Sequence, residues 1–316
     1  MNFMLEQMTF LRYFIPLILE GNSRGVRSTL YIDPRCNKYN SAVKHQHICR
    51  DLAKIVGFDV VMASDKKPSD GLSFLVEGCS RDLCGDTETA SITYVTDFIG
   101  LGKDYRDSVD HILFPSEYIA KYYNCDWDNN LYLGNPKFDI HLDKNSVLKK
   151  YGLGDKKKVL IAFPRQRLAS SLPLSQIYGM LKAMDYEVVV KSRGKDPVAG
   201  WYMGDAYFED ASWFPHDTME LMSMVDLLIN FDSGTIEEAV HAKVPTINFE
   251  IKSFVPFKFL YDADYCYSTK ALSEEAFIKK TVELTNSNYD KAFDESLRKI
   301  TCESSSKKIL DHFSIG

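Results

Sequence analysis

The sequence has no excess of positive charge: 38 Lys and Arg stand against 44 Asp and Glu in 316 residues. A chain with a net charge of -6 offers no extended cationic track, which excludes nucleic acid as its principal partner. A local basic pocket stays compatible, because net charge does not describe a cleft. No stretch approaches 18 uncharged apolar residues, so no membrane-spanning helix is expected. There is no Asn-x-Ser/Thr sequon and no Cys-x-x-Cys pair, and the seven cysteines are scattered. That pattern fits buried thiols in a reducing compartment rather than a disulfide framework or a zinc site. The expected location is therefore the cytoplasm, with peripheral contact to a membrane surface left open. Internal repeats and low-complexity tracts are also missing.

What is present is 45% hydrophobic and 26% charged, a globular balance, over a length that suits two domains. The first residues, "MNFMLEQMTFLRYFIPLILEGNSRG", contain an apolar run but have Glu6 before it and Arg12 inside the segment, unlike a secretory signal. They read as an amphipathic helix that packs on a core. Pro16 interrupts that pattern, and a short strand over 15–19 is the alternative.

Short apolar runs then alternate with helical patterns. Strands are expected over 28–32, 58–62, 72–76, 92–96, 111–114 and 131–133, and again over 159–163, 187–191, 206–208, 226–230 and 246–249. Helices are expected over 40–55, 116–123, 174–184, 218–224, 235–241 and 273–284, with Ser116 as an N-cap. This alternation implies an α/β fold with parallel sheets covered on both faces. A charged, glycine-bearing stretch over 142–158 marks the break. The expected division is 1–148, an acceptor-binding domain, and 149–316, a nucleotide-donor domain whose last helix crosses back to the first. Both would be doubly wound, facing a cleft.

The most informative stretch is "DLLINFDSGTIEEAVHAKVPTINFE", 226–250. An apolar strand leads into Asp232-Ser233-Gly234-Thr235, and a helical pattern with Glu237 and Glu238 follows. Ligands of open parallel sheets sit beyond the carboxyl ends of the strands, and small residues opening a helix expose backbone N–H groups to a phosphate. Gly234 lets a ligand approach the backbone, and Ser233 and Thr235 add hydroxyls. The plain alternative is a helix cap whose glutamates offset the helix dipole.

This stretch resembles the donor-binding motif of GT-B-fold glycosyltransferases and of the related UDP-N-acetylglucosamine 2-epimerases. Asp232, Ser233, Gly234, Ile236, Glu238 and Pro245 stand at matching positions. A second segment, "LYLGNPKFD" over 131–139, resembles the Gly-Asn/His-Pro-x-x-Asp stretch that ends the first domain in several such transferases, the Kdo transferases among them. The resemblance implies a GT-B architecture of two Rossmann-like domains. It places a nucleotide diphosphate on Ser233, Gly234 and Thr235, and ribose hydroxyls on Glu238, with Glu237 as the alternative. It implies a nucleotide-sugar donor, a glycan or lipid-linked acceptor, and no cofactor or obligatory metal. Departures leave the subfamily open. Thr235 replaces a second Gly of the epimerases, and Glu250 stands where they carry Arg. The polyol-phosphate transferases show Ser-Ser at the turn and Lys-x-His-Pro upstream, where "VVVKSRGKDP" has no His. Pro245 and Thr246 stand eight residues after Glu237 and Glu238, so the paired glutamates of many retaining transferases are missing. The alternatives to glycosyl transfer are therefore a sugar-nucleotide 2-epimerase, a polyol-phosphate transferase, or a non-catalytic scaffold that binds a glycan or partner.

Other residues complete the expected site. Arg165, Lys191 and Arg193 follow strands of the second half, where cations neutralise a diphosphate leaving group without a metal. An inverting transfer needs a base on the acceptor hydroxyl. Asp97, after the strand expected over 92–96, is the first choice, with Glu77 and Glu6 as rivals. Trp213, Phe214 and His216 are weaker candidates for base or phosphate contacts. His45 and His47, two apart on a helix, point to different faces and make no metal site.

Overall fold

A computed structural model describes residues 1–94, 106–164, 172–192, 204–209, 212–252, 255–271 and 273–316. The chain forms two units, Met1–Ile140 with Arg298–Gly316, and His141–Leu297. The division falls at Ile140 rather than at 148, because 142–151 is not a linker. Asp143 caps a helix there, α4, Lys144–Tyr151, by accepting from the N–H of Ser146 at 2.8 Å.

The first unit holds seven strands: β1 (Asn2–Leu5), β2 (Thr29–Ile32), β3 (Asp59–Met62), β4 (Leu72–Val76), β5 (Glu88–Ile92), β6 (His111–Phe114) and β7 (Asn130–Tyr132). All pair in parallel, in the order β3-β2-β1-β4-β5-β6-β7. The central strand β1 was not anticipated, since four buried residues carry no alternation to read. The expected helix starts later, as α1, Leu11–Ser23, and it runs through Pro16, so neither a break nor a 15–19 strand forms there. Its buried side chains include Leu11, Phe14, Ile15, Leu17 and Ile18. At roughly 1.5–3 kcal/mol each, they outweigh the ~3 kcal/mol of an interior proline.

Strand β5 ends at Ile92, so the strand expected over 92–96 lies four residues too late. Its sequence, Glu-Thr-Ala-Ser-Ile, hides it, because Thr89 and Ser91 are buried with partners. Thr89 donates from its N–H and its hydroxyl to Asp110 at 2.8 and 2.7 Å, and Ser91 Oγ accepts from the Gly78 N–H at 2.9 Å.

The end of the chain completes this unit through the Gly-Asn-Pro-Lys-Phe-Asp segment. Asp139 accepts from the N–H groups of Ser305, at 3.1 Å, and Ser306, and so caps the last helix, α11, Ser305–His312. The Asn135 N–H donates to Thr301 Oγ1 at 3.1 Å. Gly134 has φ +88° and lies against Cys302 and Ser305, where an added Cβ would come within 2.1 Å of Ser305 Oγ. Arg24, just after α1, donates to the Ile315 carbonyl at 3.0 Å and pairs with Asp311 at 2.8 Å.

The second unit has six parallel strands: β8 (Lys158–Ala162), β9 (Glu187–Lys191), β10 (Ala206–Phe208), β11 (Leu227–Asn230), β12 (Thr246–Phe249) and β13 (Cys266–Thr269). Their order is β10-β9-β8-β11-β12-β13. Alternate residues build two cores. Val159, Ile161, Val188, Val190, Leu227 and Ile229 pack with α5 (Leu174–Ala183) and α9 (Glu274–Asn286). Leu160, Val189 and Leu228 pack with α4 and with α6 (Asp217–Met222) and α7 (Ile236–His241). Helices thus cover both faces, as the apolar runs of a parallel sheet require. No described helix is long and apolar enough to cross a membrane.

Candidate functional site

In each sheet the strand order reverses beside the first strand, between β1 and β4 and between β8 and β11. Such a reversal opens a crevice outside the carboxyl ends of the strands. In the second unit, β11 delivers Asp232-Ser233-Gly234-Thr235 to this point, and α7 follows.

The turn is held from below. The Ser233 carbonyl accepts from Tyr261 Oη at 2.6 Å and from Asn230 Nδ2 at 3.1 Å. Tyr261 comes from α8, Lys258–Tyr261. Burial pushes its hydroxyl far above the ordinary range, which keeps it a donor. Asp232, 1% exposed, adopts φ +47°, a left-handed conformation that Asp tolerates better than most residues.

Thr235, the N-cap of α7, makes no side-chain cap bond. Ser233 Oγ pairs instead with Thr235 Oγ1 at 3.0 Å and lies a long 3.4 Å from the Thr235 N–H. Among the described residues, the N–H groups of Ser233 and Gly234 meet no acceptor. Ser233, Gly234 and Thr235 are part-exposed, while Glu237 and Glu238 are 6% and 5% exposed. Two hydroxyls and two main-chain donors thus stand beside a pair of buried carboxylates.

Lys191 ends β9 on the same sheet edge, in register with Ala162, and is 8% exposed. Its ammonium lies 3.5 Å from the Ser192 carbonyl. Arg165, Arg193 and Asp97 lie outside the described residues. Glu6 follows β1 and Glu77 follows β4, so these two carboxylates flank the reversal of the first sheet. Glu77 has φ +52°, and Glu6 accepts from Gln7 Nε2 at 3.2 Å. His216 and Trp213 are buried beside each other ahead of α6. In α6, Asp217 and Glu220 accept from Tyr151 Oη at 3.0 and 2.7 Å, and Lys150 reaches Glu220 at 2.6 Å. Burial, followed by these carboxylates, raises the Tyr151 pKa. No metal-holding group occurs among the described residues.

No protein-family model and no curated protein matches the sequence. Solved structures do match over the full length. The glycotransferase of kitacinnamycin aligns with a TM-score of 0.66 at 12% identity, over 99% of this chain and 97% of its own. The UDP-GlcNAc 2-epimerase of Methanocaldococcus jannaschii aligns at 0.61 and 10% identity over all of both chains. The chain has the GT-B fold. The UDP-N-acetylglucosamine 2-epimerase of Rickettsia bellii shares that GT-B likeness, with a TM-score of 0.58 at 13% identity over 99% of this chain and 95% of that one.

Sequence reasoning missed two contributors to the Ser233 turn, Tyr261 and Lys252. The ammonium of Lys252 donates to the Asp232 carbonyl. Its cation, two residues beyond Glu250, was legible in the sequence, but its return to the turn was not.

Proposed function

We propose that this protein is a glycosyltransferase that moves a sugar from a nucleotide-sugar donor to a hydroxyl of a glycan or lipid-linked acceptor. The observation that carries this is the Ser233-Gly234-Thr235 turn, whose donors sit at the order reversal of a Rossmann-type sheet beside two buried glutamates. The turn binds the diphosphate. Glu238 accepts from the ribose hydroxyls, with Glu237 as the alternative. Arg165, Lys191 and Arg193 offset the charge that grows on the leaving diphosphate, so no metal or cofactor is required.

In an inverting transfer, the acceptor oxygen attacks the anomeric carbon as the bond from that carbon to the diphosphate breaks. The acceptor proton passes to a carboxylate of the first unit, for which Asp97 is the choice and Glu6 and Glu77 are the rivals. The products are the glycoside and the nucleoside diphosphate. We place the enzyme in the cytoplasm. A sugar-nucleotide 2-epimerase is the second reading, favoured by the full-length likeness to such enzymes, one of them crystallised with UDP-GlcNAc and UDP.

Incubation with nucleotide sugars, with and without glycan acceptors, followed by chromatography of the sugar products, separates the two. A transferase or its slow hydrolytic side reaction releases the nucleoside diphosphate, and Asp97→Asn lowers that rate by roughly 10²–10⁴-fold. Conversion of UDP-GlcNAc to its 2-epimer without an acceptor supports the second reading and contradicts the first.

A further inference from the structure

The segment that follows β2 carries a charge unlike that of the chain around it. Between Asp33 and Asp51 stand Arg35, Lys38, Lys44 and Arg50 and no Asp or Glu, in a protein whose net charge is -6. The fold fixes this basic loop at the reversal of the first sheet. The Met8 N–H donates to the Asn40 carbonyl at 2.8 Å, and the Ala42 N–H to the Glu6 carbonyl at 2.9 Å. Asn40 Nδ2 donates to Gln7 Oε1 at 2.9 Å, and Gln7 and Ser41 form an antiparallel bridge. The residues gripped, Glu6 to Met8, directly follow β1. The loop therefore lies at the carboxyl end of the strand beside which the order reverses, where an open parallel sheet takes its ligands.

Its cations are not equally committed. Arg35 is neutralised, since Asp33 and Asp82 accept from its guanidinium at 2.7 and 2.5 Å. Lys38 is 65% exposed, and among the described residues its one carboxylate neighbour is Glu6, at 3.9 Å. The Lys44 ammonium donates to the Asn37 carbonyl at 2.7 Å, and among the described residues it meets no carboxylate. Helix α2, Gln46–Val56, begins just beyond Lys44 with no acidic residue in its first turn to offset its positive end. Tyr39, 49% exposed, meets the His45 ring edge-on at 6.2 Å, and His45 Nε2 lies 3.0 Å from the Tyr39 carbonyl. A half-exposed aromatic ring is thus anchored between Lys38 and Lys44 in the chain. Like charges gathered in this way repel one another, and an anion bound among them relieves that repulsion.

We propose that this loop recognises the negative charge of an anionic saccharide, one that bears a phosphoryl or carboxylate group. Lys38 and Lys44 supply the cations, and Tyr39 offers a ring face against which the apolar face of a sugar packs. The proposal rests on the transferase reading for one point, that this saccharide is the acceptor. An anionic bilayer fits the loop less well. Asp51 and Asp82, 66% and 64% exposed, border the basic segment and would oppose a broad negative surface more than a single charged group.

The test is calorimetric titration of the full chain with mannopentaose, its 6-phosphate and tetragalacturonate. The two charged probes are expected to bind at least roughly tenfold tighter than the neutral one. Lys38→Met with Lys44→Met weakens the charged probes roughly tenfold and leaves the neutral one unchanged. The corresponding pair of Arg substitutions keeps most of the affinity. Lys54→Met with Lys156→Met removes the same charge elsewhere and changes nothing. All four lysines are exposed, so these variants keep the fold, and thermal unfolding checks that. Equal affinity for charged and neutral probes overturns the proposal, as does an equal loss in both pairs of Met substitutions, which signals net charge alone. Sedimentation with vesicles of equal parts phosphatidylcholine and phosphatidylglycerol, in a protein that binds neither charged saccharide, overturns it in favour of a membrane surface. UDP, GDP, CDP, ADP and TDP are titrated into the same samples. A wild type that binds a nucleotide but no charged saccharide overturns the assignment of the loop and leaves the donor site standing. One that binds the charged saccharides but no nucleotide supports the loop and overturns the donor-site reading.

Discussion

Replacing Gly134 by Ala perturbs the point where the end of the chain meets the first unit. An alanine at φ +88° sits in the left-handed region, at a cost of about 1–2 kcal/mol. Its methyl would fall 2.1 Å from Ser305 Oγ, 2.5 Å from Cys302 Sγ and 2.9 Å from Ser305 Cβ. Those atoms cannot retreat freely, because Ser305 is fully buried and its backbone N–H is held by Asp139. Overpacking of this kind adds roughly 1–3 kcal/mol. A combined loss of about 3 kcal/mol lowers the melting temperature of a unit this size by roughly 6–12 °C. Calorimetry measures it directly. In a Ser305→Gly, Cys302→Ala background the three nearest atoms are gone, so Gly134→Ala then costs only about the left-handed share, roughly 1–2 kcal/mol. A melting temperature lowered by less than about 2 °C, or an equal cost in both backgrounds, refutes the claim that this glycine exists for close approach of the C-terminal helix.

Two further outcomes are expected. Tyr261→Phe removes one of three donors from the Ser233 carbonyl and leaves Asn230 and the Ile236 N–H in place, so nucleotide affinity falls roughly twofold to tenfold with a small change in melting temperature; titration calorimetry that finds no change in affinity contradicts a positioning role. At Asp33, burial opposes ionisation, but bonds from Arg35 and Ser80 outweigh it and hold the carboxyl below its ordinary 3.8. The ionised group is therefore stabilising above that value, and the contribution disappears as pH falls through the lower folded pKa. Asp33→Asn should show a lower melting temperature at neutral pH and a shallower acid limb than wild type, and parallel melting curves from pH 7 to 2 would contradict the linkage.

Most of both sheets was legible in the sequence, because strands such as Leu72–Val76, Glu187–Lys191 and Thr246–Phe249 are apolar runs bounded by polar turns. Strands that escaped notice had other support. Asn2–Leu5 is too short to show a period, Glu88–Ile92 buries hydroxyls that Asp110 and Gly78 satisfy, and Cys266–Thr269 is four residues with polar members that show no apolar run. The helix expected in the first segment forms despite Pro16, because burial overrides the local propensity that suggested the strand alternative. The turn at Ser233 was visible as a motif. What fixes it comes from residues twenty or more positions away, Tyr261 and the Asp232–Lys252 loop, and only the three-dimensional fold joins them. The Gly134–Asp139 segment was legible as a family-like stretch, but its hydrogen bonds to 301–306 were not, since they close across most of the chain.

The central claim is that the Ser233 turn binds the diphosphate of a nucleotide. Thermal shift with UDP, GDP, CDP, ADP, TDP and CMP, with and without Mg²⁺, on wild type and on Gly234→Trp tests it most directly. Ligand at one hundred times its dissociation constant should stabilise wild type by about 2.7 kcal/mol and leave Gly234→Trp unmoved, without need of Mg²⁺. A wild type that no nucleotide stabilises, or a Gly234→Trp variant that responds as wild type does, would contradict the account.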